Sequence, residues 1–231
     1  MIDRLPVSAL GTDARAGFLV RTYAHLLGAI LLFAAIEAFL FTSGLAYPIA
    51  NAMLGTSWLL VLGGFMLVSW FASKTAATAE SKPAQYAALL ATVVMQALIF
   101  VPLLALAAEY SAKSGDDNLI SKAAWVTMAG FSALTALVVL TGKDFSFLGS
   151  LLKWGGIVAI GAIVAAVVFG FELGTWFSVA MIAFAGAAIL YDTDKVLNRY
   201  PEDRHVSAAI ELFASVALMF WYVLRLFMSR R

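Results

Sequence analysis

Polar and apolar positions alternate here on a long scale. Charged residues gather in short clusters, and between them run apolar stretches of helix-spanning length. A run of about 20 apolar residues with few charges predicts a helix that crosses a bilayer. The sequence predicts seven: Phe18–Phe41, Ala52–Ala72, Pro83–Ala108, Ala123–Thr141, Phe147–Phe171, Gly174–Tyr191 and Val206–Leu224. The first carries Arg21, His25 and Glu37, Pro102 interrupts the third, and the seventh contains Glu211. The connections are short, and "TSGLAYPIANAML" between the first two spans has no charge. The pattern therefore predicts an all-α polytopic membrane protein. It divides into an N-terminal segment (1–17), one membrane domain (18–227) and a C-terminal tail (228–231).

Composition agrees. Of 231 residues, 63% are hydrophobic and 13% charged, against about 25% charged in soluble domains. The net charge of +1 and the lack of a basic aromatic patch exclude nucleic acid as a partner. There is no cysteine, so no disulfide framework. Two histidines, His25 and His205, are too few for a histidine-built metal centre. The polar N-terminus "MIDRLPVSALGTDARAG" does not read as a signal peptide, so the first span is expected to direct insertion.

Lysine and arginine set the orientation. Ten, among them Arg4, Arg15, Lys74, Lys82 and Lys195, fall on the N-terminal side, and five, including Arg230 and Arg231, fall opposite. This predicts a cytoplasmic N-terminus and, after seven spans, a C-terminus on the far side of a bacterial inner membrane. The basic tail "RLFMSRR" runs against that placement. Small residues four apart, Gly155/Ala159, Gly161/Ala165 and Ala183/Ala187, permit close helix approach.

The chemistry gathers around "AILYDTDKVLNRYPEDRHVSAAIELFASV". Asp192 and Asp194 close the sixth span. Glu211 lies about five residues into the seventh, roughly 7–8 Å deep at about 1.5 Å per residue. Arg21 and His25 reach a similar depth in the first span and share a helix face. Ionisable groups in a membrane face the bundle interior and pair, so these residues are candidates for one polar cluster. One reading is a proton or cation site, since close carboxylates share a proton and calcium takes about six to eight oxygens. The plainer reading makes Asp192 and Asp194 boundary residues of a solvated loop, with Glu211 neutralised by Arg21 or His25. Glu37 reads as an interfacial acid, His205 as a solvated loop residue, and Asp144 as a cap for the fifth span. The "NRYPEDRH" loop reads as a solvated turn set by Pro201 or as a docking surface. No H-E-x-x-H occurs, and "GFSAL" is not G-x-S-x-G, so no enzyme is predicted.

Four stretches together resemble the Bax inhibitor-1 family, in particular its bacterial YccA-like branch. They are "VRTYAHLLGAILLF", "GKDFSFLGSLL", "AGAAILYDTDKV" and "LFASVALMFWYVLRLF". The resemblance implies a seven-helix bundle whose seventh helix is central, wrapped by the other six. It implies one of two activities: a calcium leak latched by an acid at the end of span six and another in span seven, or restraint of the membrane-anchored ATP-dependent protease FtsH. The span-six acid falls on Asp192. The span-seven position falls on Ser215, with Glu211 one turn earlier, and the YccA-like branch resembles this chain in having serine there. The resemblance thus favours a protease modulator over a calcium- or proton-regulated channel, and no cofactor is expected.

Overall fold

The computed structural model describes residues 6–9 and 11–229, so Arg4, Arg230 and Arg231 lie outside the described residues. Eight α-helices follow in order: α1 (Thr12–Thr42), α2 (Ala46–Leu54), α3 (Trp58–Thr78), α4 (Lys82–Ser114), α5 (Leu119–Thr141), α6 (Leu148–Phe169), α7 (Gly174–Asn198) and α8 (His205–Met228). Of two 3-10 turns, Val7–Ala9 precedes α1 and Glu202–Arg204 joins α7 to α8. All but α2 are long and apolar enough to cross a membrane, which makes this a multi-pass membrane protein.

The helices outrun the apolar stretches that announce them. α1 starts at Thr12 rather than Phe18, α4 continues to Ser114, and α7 continues past Tyr191 to Asn198. Apolarity marks the part of a helix in hydrocarbon, whereas backbone hydrogen bonding carries the helix on into the interface. Pro102 does not break α4. It removes one backbone donor, a loss that neighbouring helices in a membrane bundle can absorb.

The uncharged first connection is not a loop. Its Ala46 and Ala50, one turn apart, pack with Leu40 of α1 and with Val101 and Ala105 of α4, which fixes α2 as a short helix across the end of the bundle. The second span therefore begins at Trp58, after the break at Gly55.

α8 occupies the centre. It packs against α1, α3, α4, α5 and α7. Buried residues make up 72% of its most apolar stretch, against 6% for α6. The encirclement is incomplete, because α6 packs chiefly on α7. Phe100 of α4 anchors the half of the core away from the α7–α8 turn, stacked on Phe220 at 5.5 Å and edge-on to Trp221 at 5.0 Å.

The α6–α7 contact depends on missing side chains. A Cβ on Gly149 would lie 2.8 Å from the Tyr191 ring, and one on Gly155 would lie 2.9 Å from Phe184. Gly161 faces open space, so only part of the small-residue pattern is a packing face. Gly155→Leu should cost about 1–3 kcal/mol through overpacking, while Gly161→Leu should be close to neutral. Thermal unfolding of the two variants in one detergent checks the contrast.

Candidate functional site at the α7–α8 junction

The last turns of α7 and the first turns of α8 run side by side around the turn at Pro201. On α7, Asp192 and Lys195 are three apart and share a face toward α8. On α8, Glu211 and Ser215 are four apart and face back. The pairing is specific. Ser215 Oγ donates to Asp192 Oδ2 at 2.5 Å, and Lys195 Nζ donates to both oxygens of Glu211 at 2.8 Å. The side chains of Lys195 and Glu211 are each about one-third exposed. Glu211 and Lys195 both lie within electrostatic reach of Asp192. The Lys195 ammonium also sits 5.0 Å above the Tyr200 ring, a cation–π contact that orients it.

Asp194 is not a loop residue. It lies inside α7 with its side chain 3% exposed, on a different face from Asp192. Its carboxylate accepts from Asn198 Nδ2 at 2.8 Å and forms an ion pair with Arg199. The extension of α7 to Asn198 places both partners on the next turn. Asp192, Glu211 and Asp194 therefore each hold a different partner. Among the described residues, no group of three or more His, Cys, Asp or Glu is arranged to hold a metal.

Neither Arg21 nor His25 neutralises Glu211. Lys195 does so because it projects from the adjacent turn of α7, whereas Arg21 points to the α7–α8 turn. Arg21 lies 3.6 Å from Glu202, and both side chains are about half exposed; such a pair contributes about 0–1 kcal/mol. His25 Nδ1 donates to the Arg21 carbonyl at 2.6 Å, leaving Nε2 to face the Tyr86 hydroxyl at 3.3 Å. The ring of His205 stands 5.1 Å from that of His25. His205 opens α8 and is buried, not solvated.

The charged turn is likewise less free than its composition suggests. The Val7 amide donates to the Tyr200 carbonyl at 2.8 Å, and Ser8 Oγ donates to the Asn198 carbonyl at 2.7 Å. Phe18 stacks on Tyr200 at 6.5 Å. From the other side, Arg204 donates to the Ala79 carbonyl at 2.6 Å, and Lys82 Nζ donates to the Asp203 carbonyl at 2.6 Å. Arg204 thereby caps the carbonyl end of α3, where a cation is favoured. Sequence reasoning missed this clamp and the Lys195–Glu211 pair. The spacing of 195 and 192 on one face was the available signal for the pair.

Asp144 accepts from the Ser146 amide at 2.7 Å, in the turn ahead of α6 rather than at its cap, which is Phe147. That bond holds its carboxyl below the usual carboxylate range.

These features define a polytopic helical membrane protein closed on one face by a buried polar junction. The family model described as "Inhibitor of apoptosis-promoting Bax1" matches residues 15–231. The chain belongs to this Bax inhibitor-1 family. It is 31% identical over 113 residues to an uncharacterized protein of Pseudomonas aeruginosa, covering 48% of this chain and 50% of that one. It is 29% identical over 120 residues to an Arabidopsis thaliana "BI1-like protein", covering 48% and 45%. It is 30% identical over 137 residues to Arabidopsis thaliana "Protein LIFEGUARD 4", covering 56% and 54%. The chain spans about half the length of the curated relatives it matches.

Removing the hydroxyl in Ser215→Ala strips Asp192 of its partner and should cost about 1–3 kcal/mol, read as a lower unfolding temperature; Ser215→Thr should retain most of the stability. Alkali gives a second measurement. Burial first, and then the Glu211 charge, push the Tyr200 phenol well above 10, where an ordinary tyrosine ionises. A group raised in the folded state contributes stability below its unfolded value and loses it as pH climbs past that value. Stability should therefore fall above about pH 10, less steeply in Tyr200→Phe.

Proposed function

We propose that this chain is a membrane-embedded binding protein that restrains a membrane-anchored, ATP-dependent protease of the FtsH type. The observation that carries the reading is the Ser215–Asp192 hydrogen bond. A neutral hydroxyl occupies the position where the resemblance puts a second acid. Two facing carboxylates repel when both lose their protons, and that repulsion can pry two helices apart. A serine–carboxylate bond lacks it and keeps α7 against α8. With Glu211 already neutralised by Lys195, the junction favours a permanently closed bundle, which suits a docking partner better than a gate. In this reading the protein sits in a bacterial inner membrane with its N-terminus cytoplasmic and its C-terminus outside. No enzymatic step is assigned to it.

Isolation of the tagged full chain from native membranes in mild detergent tests this directly. The protease should co-purify, and raised levels of the chain should lengthen the lifetimes of membrane proteins the protease degrades. A protease absent from the isolate, with unchanged lifetimes, would refute the reading.

One observation favours a second reading, a pH-sensitive calcium or cation leak. Glu211 and Asp192 lie within electrostatic reach of each other, one-third or less exposed, at the same end of the bundle. A leak of this kind predicts pH-dependent calcium flux into vesicles, lost in Glu211→Gln. Flux that ignores the substitution, or none at any pH, rejects it.

A further inference from the structure

Glu37 belongs to none of the interactions above. It lies on the buried stripe of α1, together with Phe18, Thr22, Leu26, Ala29 and Leu40. Its position along the bundle follows from its neighbours on that stripe. The ring of Phe33, one turn before it, meets Phe100 of α4 edge-on at 5.2 Å. Leu40, three residues after it, packs with Val101 and Ala105. Glu37 is therefore level with Pro102 of α4, in the half of the bundle away from Asp192.

The side chain faces the interior, not the interface. Glu37 is 7% exposed, and neither carboxyl oxygen has a hydrogen-bond partner among the described residues. The elements around it supply little. α2 carries only Tyr47 as an ionisable group, with its ring against Phe41. α4 carries Glu109, Tyr110 and Lys113 further along, and α8 carries Tyr222 and Arg225 near its end. A bare carboxylate in such a place costs several kcal/mol. A carboxyl that keeps its proton has an O–H donor instead. Pro102 has no N–H, which leaves the Leu98 carbonyl of α4 without its helical donor. A neutral Glu37 thus brings a donor to the stretch of the bundle where α4 has lost one.

We infer that Glu37 is an intramembrane proton-binding site, whose ligand is a single proton exchanged with the face of the membrane that carries α2. The site is independent of any protease or ion traffic at the α7–α8 junction.

Infrared difference spectroscopy of the full chain in phospholipid vesicles at neutral pH reads the proton directly. The carbonyl stretch of a neutral carboxylic acid should be present, should shift in heavy water, and should disappear in Glu37→Gln while persisting in Asp192→Asn. Reaction with dicyclohexylcarbodiimide supplies a chemical readout on the unaltered protein. The reagent takes the acid's proton on one nitrogen, the carboxyl oxygen bonds its central carbon, and an oxygen-to-nitrogen acyl shift leaves a stable N-acylurea. Peptide mapping should find that adduct on Glu37, whereas a water-soluble carbodiimide with an added amine should mark exposed acids such as Glu80 and spare Glu37. A spectrum unchanged by Glu37→Gln, or equal labelling of Glu37 by the water-soluble reagent, overturns the inference.

Discussion

A helix packed against five others has few sides on which to leave a polar group to solvent, and this constraint on α8 governs much of the molecule. Two of its polar groups, the Ser215 hydroxyl and the Glu211 carboxylate, are met by protein. α7 meets them with one acceptor and one cation from adjacent positions, Asp192 and Lys195. The helix pair with the most extensive contact in the bundle is therefore also the one in strictest register. A slide of α7 along α8 by a turn would strand an acid, a lysine and a serine at once. Inside a membrane, where apolar contact alone discriminates poorly between registers, such pairing does what shape does in a soluble core.

Charge is distributed in the same spirit. Asp194 pairs with Arg199, Glu211 with Lys195, and Arg204 with the backbone end of α3. Each partner comes from the next turn or the next element, so the junction holds several ions without joining them in one network. Removing one pair leaves the others in place. Glu37 stands outside this arrangement, in the opposite half of the bundle.

Much of the fold was legible because hydrocarbon imposes a coarse demand, about 20 apolar residues per span, and seven runs meet it. The short helix α2 was not legible. It depends on Ala46 and Ala50 fitting α4, and an uncharged run of small residues carries no period strong enough to announce that. At the junction, Asp192 and Glu211 could be chosen from the sequence because acids near a bilayer are rare, and Ser215 because the resemblance puts the span-seven position there. Their partners could not, because pairing depends on helix rotation. Arg21 and His25 share the depth of Glu211 in the sequence, but the continuation of α7 to Asn198 brings Lys195 to it instead. The same extension turned Asp194 from a loop residue into a buried one.

The clamp that joins Val7 and Ser8 to Tyr200 and Asn198 has a consequence for the order of assembly. Chains emerge from their N-terminus, so residues 6–9 are made long before the stretch of backbone they must grip. α8, the centre of the bundle, is synthesised after the seven helices that precede it. The outer helices must therefore enter the bilayer and wait around an unfilled axis until their core arrives. Closure of the clamp then marks a chain in which α1 to α8 have all been made. The fold thus records the arrival of its own core.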